Sequence, residues 1–208
     1  VMPTGGDPEI TPVPAPPNLA AADQARPLLF AAFLVSDPPL KQVVSKTVEA
    51  GLRGTKELNI GTLGWKIGGF RATNYDDIVA VPAVGRTGFG YFTNVGRTRR
   101  QGLEAEVNIK SPTLQFQASY AFVDARYLDA FELGSESPFR DPVTETIQVS
   151  PGNQLPAIPR HRVKVGIDYA VTDVWKVGGN ALFVSSQYFV GDESNQYSKL
   201  PSYTVFNL

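Results

Sequence analysis

From about residue 42 onward, apolar and polar residues alternate one by one, and only clusters of Gly, Pro and Asn interrupt the pattern. Successive side chains of an extended strand point to opposite sides, so a period of two predicts strands with one greasy and one polar face. In the first strand Val48, Ala50 and Leu52 oppose Thr47, Glu49, Gly51 and Arg53. Over 98–109, Leu103, Ala105, Val107 and Ile109 oppose Arg100, Gly102, Glu104, Glu106 and Asn108. The next strand, 113–123, sets Leu114, Phe116, Ala118, Tyr120 and Phe122 against Gln115, Gln117 and Ser119. Only Lys110-Ser111-Pro112 lies between these two strands, which predicts a tight hairpin. Over 160–169, Val163, Val165, Ile167 and Tyr169 alternate with Arg160, Arg162, Lys164, Gly166 and Asp168. After Val171-Thr172-Asp173, the greasy face continues on Trp175, Val177, Ala181 and Phe183.

The pattern predicts about seven strands: 42–53, 62–80, 89–109, 113–128, 159–170, 174–188 and 202–208. Parity slips between Ile67 and Phe70, and a bulge at Gly68-Gly69 is expected to restore it. Short connections near 55–61, 110–112 and 171–173 alternate with long ones near 82–88, 129–159 and 190–201. Short turns at one end and long loops at the other describe an all-β, antiparallel, up-and-down meander, the arrangement of an outer-membrane barrel wall. Alternation alone also suits a soluble sandwich, so the aromatic positions carry the distinction. Tyr169 and Trp175 flank a short turn, while Tyr120, Phe122, Tyr127, Tyr188 and Phe189 gather toward the long loops, as two interfacial belts would require. Glu104, Glu106, Arg162, Lys164 and Asp168 lie mid-strand on the other face, which suits a water-filled or plugged interior.

The first 40 residues break the pattern, with nine of the 17 prolines. Proline removes ladder donors and stops helices, so 1–41 is read as an irregular extracellular loop segment ahead of the strands at 42–208. Within it, the run Leu28 to Phe33 fits a short strand and a helical turn equally.

Composition narrows the chemistry. With 42% hydrophobic and 19% charged residues the chain has the make-up of a folded protein. A net charge of -1 excludes the basic footprint of a nucleic-acid binder. Cys is absent, and the single His161 sits between Arg160 and Arg162 without a carboxylate or second His at ligand spacing, so it reads as structural. No apolar run reaches the ~18–20 residues of a helical span, so a membrane crossing must use strands, and Val1 to Glu9 lacks the features of a signal peptide. Asp76 and Asp77 are adjacent, face opposite ways on a strand, and read as a turn. Of Arg99 and Arg100, only Arg100 shares the parity of Glu104 and Glu106, and an ion pair is its expected role. Gly191-Asp192-Glu193-Ser194-Asn195 lacks the spacing of a calcium loop and reads as a solvated turn. The glycines at 85–90 precede no helix and cannot cradle phosphate. No catalytic residue, metal ligand or cofactor is expected.

Several stretches, in order, resemble TonB-dependent receptors of the outer membrane. They begin with Ser36-Asp37-Pro38-Pro39-Leu40-Lys41 and Glu49-Ala50-Gly51-Leu52-Arg53-Gly54. Phe70-Arg71-Ala72-Thr73-Asn74-Tyr75-Asp76-Asp77, Gly90-Tyr91-Phe92-Thr93-Asn94 and Thr98-Arg99-Arg100-Gln101-Gly102-Leu103-Glu104 follow. Ser119-Tyr120-Ala121-Phe122, Leu155-Pro156-Ala157-Ile158-Pro159-Arg160-His161-Arg162, Gly191-Asp192-Glu193-Ser194-Asn195 and Tyr203-Thr204-Val205-Phe206-Asn207-Leu208 complete the series.

The resemblance implies energised uptake of a scarce ligand, first a ferric siderophore, across the outer membrane of a gram-negative bacterium. Such a barrel has ~22 strands, so this chain is expected to be a fragment, with plug, TonB-contacting segment and terminal strands lying elsewhere in the receptor. The partners implied are outer-membrane lipid, the small ligand, and the TonB system through those other parts; nucleic acid is not among them. Candidates for plug or ligand contact on the inward face are Arg100, Glu104, Glu106, Arg160, Arg162 and Lys164, and in the outer loops Tyr91, Asp192 and Glu193. A diffusion porin and a soluble β-rich binding module or glycan-handling enzyme stand as rivals, the last without the converging carboxylate pair that glycoside hydrolysis needs.

Overall fold

The computed structural model describes residues 39–82 and 90–208. The run Leu28 to Phe33, most of the segment 1–41, the connection near 82–88 and the glycines before Gly90 lie outside them.

The described residues form strands β1 (Val44–Leu58), β2 (Gly61–Tyr75), β3 (Ile78–Pro82), β4 (Gly90–Asn94), β5 (Thr98–Lys110) and β6 (Leu114–Tyr127). They continue with β7 (Phe131–Gly134), β8 (Thr146–Val149), β9 (His161–Ala170), β10 (Lys176–Val184) and β11 (Tyr203–Asn207). Seven make one sheet in the order β1-β2-β5-β6-β9-β10-β11, each pair antiparallel, while β3-β4 and β7-β8 are separate hairpins. The meander and its seven main strands therefore stand as the period-two pattern predicts.

Local chemistry makes the short turns. Asn59 and Ile60 join β1 to β2, and Gly61 takes φ 132°, a conformation side chains resist. At the β5–β6 turn the Leu114 amide donates to the Ser111 hydroxyl (2.9 Å), and at the β9–β10 turn the Trp175 amide donates to Thr172 (2.9 Å). The long connections carry the two hairpins and the loop ahead of β11.

Register stacks side chains into rows across the sheet. One greasy row runs Leu52, Ile67, Ala105, Tyr120, Val163, Phe183, and the next runs Trp65, Val107, Ala118, Val165, Ala181, Phe206. Among the described residues no second sheet covers this face: Leu52 is 71% exposed, Ile167 47% and Phe206 72%.

Three expectations change. Pairing runs unbroken through Gly68 and Gly69, opposite Gly51 and Ala50 on one side and Glu104 and Leu103 on the other, so there is no bulge. Phe70 instead falls on the polar face, its ring 3.0 Å from where a Cβ of Gly102 would sit; the bare glycine lets the ring lie along the sheet while every ladder bond is kept. Secondly, the expected strands 62–80 and 89–109 each divide. Asp76 at φ 52° turns the chain out of the main sheet into the β3–β4 hairpin, and Gly96 at φ 76° turns it back into β5.

Thirdly, Tyr127 leaves the aromatic belt. It is 1% exposed at the centre of a core with Val81, Val95, Ala125, Leu133, Ile147, Val149 and Leu155, and Phe131 meets its ring edge-on at 5.0 Å. This core sits at the long-loop end, where the hairpins and loops give Tyr127 a dry partner surface. Tyr120 and Phe122 keep their places on the greasy face beside His161, whose Nδ1 lies 2.9 Å from the Tyr120 hydroxyl.

Candidate functional site

The polar face presents two adjacent rows. One runs Arg53, Lys66, Glu106, Ser119, Lys164; the other runs Gly51, Gly68, Glu104, Ala121, Arg162. Glu104 and Glu106 on β5 thus form an acidic column, Arg162 and Lys164 on β9 a basic one. Between them β6 offers only Ser119 and Ala121, and strand spacing sets the columns ~10 Å apart. Lys66 closes on Glu106 at 2.8 Å. Beside Glu104, Gly51 and Gly68 leave a hollow of about 360 Å³ edged by Glu49 and Phe70. This trough holds fixed charges of both signs and can dock a polar surface of complementary pattern. Among the described residues no cluster of three or more His, Asp or Glu could hold a metal ion.

Arg100 points to the same side but is already engaged. Its Nη1 donates to Asp77 at 3.1 Å, the Thr98 hydroxyl donates to the same carboxylate oxygen, and the Ile78 amide donates to the other at 3.1 Å. Burial pushes the Asp77 carboxyl up, but the Thr98 hydroxyl and the Arg100 guanidinium outweigh it and hold it below the usual carboxylate range. Asp76 and Asp77 do form a turn, and beyond that reading Asp77 is the node tying the β3–β4 hairpin to β5.

Arg160 stands apart from the inward set. Its Nη2 donates to Asp124 at 3.0 Å and its guanidinium lies 5.7 Å from the centre of the Phe122 ring, and both partners belong to the greasy face. Arg160 precedes β9, so strand parity does not govern it, and the buried Asp124 draws it across.

The loop candidates turn inward. Tyr91 pairs with Val81 in the hairpin and packs against the core. Asp192 is fully buried, and its carboxylate accepts the amides of Gln196 (2.8 Å) and Tyr197 (3.2 Å), folding its own loop. The loop is fastened to the one before β9: Asn153 donates to the Ser194 carbonyl at 2.8 Å and Asn195 to the Gln154 carbonyl at 3.0 Å. Burial pushes the neighbouring Glu193 up, and the charge of Asp192 adds to that, against the Gly191 amide. The solvated turn expected here is therefore a packed one. Sequence reasoning missed Asp77, Asp124 and Asn153; for Asp77 the signal was an Asp pair closing a strand, and for the other two there was none.

A family model described as TonB dependent receptor-like, beta-barrel, matches residues 13–208. Solved structures share the fold, among them two with a TM-score above 0.5. The siderophore receptor PiuA from Acinetobacter baumannii superposes with a TM-score of 0.58 at 21% identity, over 78% of this chain and 21% of that one. The copper transporter OprC superposes with a TM-score of 0.55 at 18% identity, over 80% of this chain and 22% of that one. The chain thus spans about a fifth of either structure. Among curated proteins nothing matches.

Proposed function

Because the chain belongs to the TonB-dependent receptor-like β-barrel family, matched over residues 13–208, we propose that it forms a stretch of the wall of an outer-membrane receptor that imports a scarce ligand, a ferric siderophore first. The greasy face meets lipid and the polar trough faces the interior, where Glu104, Glu106, Arg162 and Lys164 contact the plug or the passing ligand. Arg100 positions the loop-end hairpin over that interior, and Tyr91, Asp192 and Glu193 shape the loops at its mouth. Energy comes from the TonB system through parts of the receptor other than this wall. The chain itself carries out no bond-making chemistry.

The observation that carries this reading is the uncovered greasy face. Its rows from Ala50 to Leu58 span roughly 20 Å of height at ~3.3 Å rise and the usual barrel tilt, close to the ~25 Å apolar band of an outer-membrane barrel. Two tests separate it from its rivals. The protein carrying this chain should resist alkaline washing of membranes and come out only with detergent; release into buffer as a folded monomer would favour a soluble module. Uptake of a radiolabelled ferric siderophore by cells bearing it should stop when the proton gradient is collapsed, whereas a diffusion porin would continue.

A further inference from the structure

At its long-loop end the greasy face changes character. Above the row Ala50, Gly69, Leu103, Phe122, His161, the next row reads Val48, Arg71, Gln101, Asp124, and the one above it Lys46, Thr73, Arg99, Arg126. Arg160 joins from the start of β9. Asp124, its side chain only 8% exposed, is surrounded by Arg126 (3.0 Å), Arg160 (3.0 Å) and Arg99 (3.8 Å). One carboxylate neutralises one of these cations. Arg71 is exposed and makes no ion pair among the described residues, and Lys46 rests 5.2 Å from the Tyr75 ring centre. Of the loop carboxylates at this end, Asp129 is already held by Arg97 at 2.7 Å and Asp76 by Lys41 at 3.9 Å. Five cations against one carboxylate therefore collect on the outward side of β1, β2, β5 and β6, directly above the apolar rows.

Resting on the wall reading above, we propose that this patch binds the phosphate groups of a lipid in the outward-facing leaflet. Guanidinium groups facing hydrocarbon are costly, so a surplus of them at this height requires a matching anion. Phosphate oxygens match their paired donors, and the three arginines around Asp124 are held in place before any lipid arrives. Rows of apolar side chains continue without a step beneath the charges, so the partner carries acyl chains below its anionic head. That geometry selects a lipid over a soluble anion or an acidic peptide. Asp124 acts as a positioning residue, keeping three mutually repelling cations together.

The test uses the complete membrane protein that carries this chain, in detergent, with phosphatidic acid, phosphatidylcholine of the same acyl chains, and inorganic phosphate as probes, read by native mass spectrometry. Retention of phosphatidic acid over phosphatidylcholine, not displaced by inorganic phosphate, is the expected result. The variant Lys46→Gln/Arg71→Gln, which spares the Asp124 cluster and so its folding, should weaken retention on the order of tenfold. Lys56→Gln/Lys176→Gln, at the short-turn end, should change nothing. Equal retention of the two lipids, displacement by phosphate, or an unchanged Lys46→Gln/Arg71→Gln variant would each overturn the site. A protein that leaves the membrane without detergent would instead overturn the wall reading on which it rests.

Discussion

The two ends of the strands solve burial in opposite ways. Along most of their length the sheet has no dry core: one face carries uncovered Leu52, Ile67, Ile167 and Phe206, the other the charged trough. At the long-loop end the chain builds its own core, with Tyr127, Val81 and Val149 at most 1% exposed beneath the hairpins. The wall relies on its surroundings to take up apolar surface, and the cap relies on its own side chains. A mutation in one region should therefore be felt in a different solvent from a mutation in the other.

The largest expected effect breaks the cap alone. Tyr127→Ala should cost about 3–5 kcal/mol of cap stability, since it empties the centre of a closed core. Limited proteolysis should then cut within 128–160, while hydrogen exchange of β1 and β2 stays unchanged. Exchange rising equally in both regions would show that they are one cooperative unit.

The second effect breaks the wall alone. Val165→Arg, in the middle of the greasy rows, should cost about 2–4 kcal/mol in reversible folding into bilayers. Gln117→Arg, one strand away on the polar face, should cost less than about 0.5 kcal/mol. Similar costs for the two would mean that the faces are not in different media.

Third, Asp77→Ala should loosen the β3–β4 hairpin by about 1–3 kcal/mol, because it leaves the Arg100 charge and the Thr98 hydroxyl without their acceptor. The smallest effect distinguishes two carboxylates within the cap by pH. Asp77 sits below its ordinary value, so its stabilisation is present at neutral pH and above ~3.9, and is lost as pH falls through the lower folded value. Glu193 is shifted the other way, so its contribution is full below ~4.3 and lost as pH rises through its folded value. Glu193→Gln should accordingly tighten the 190–200 loop at neutral pH, by less than about 1 kcal/mol, seen as slower amide exchange at Gln196 and Tyr197.

Much of the wall could be read in the chain. The alternation of Val163, Val165 and Ile167 with Arg162, Lys164 and Asp168 assigned their faces correctly, because side-chain direction in a strand follows from backbone geometry alone. The acidic and basic columns followed from the same parity. Legibility failed where the strands end. Parity placed Arg160 inward, and nearness to the long loops placed Tyr127 in the outer aromatic belt; a carboxylate on the neighbouring strand took the first, and the packed hairpins took the second. Parity also asked for a bulge at Gly68-Gly69, because it could not know that Gly102 would leave a floor for the Phe70 ring. The loop of Asp192 read as solvated because its fastening, Asn153 and Gln154, lies some forty residues away.

The sequence by itself determined that the described residues carry a main antiparallel sheet of seven strands with one greasy and one charged face, since a period of two needs no partner to be expressed. Only the tertiary structure decided which charges are free and which are spent, where a closed core forms, and that cations gather above the apolar rows. Those outcomes depend on registers and loop contacts between residues far apart in the chain, and pairing at a distance leaves no periodic mark along it.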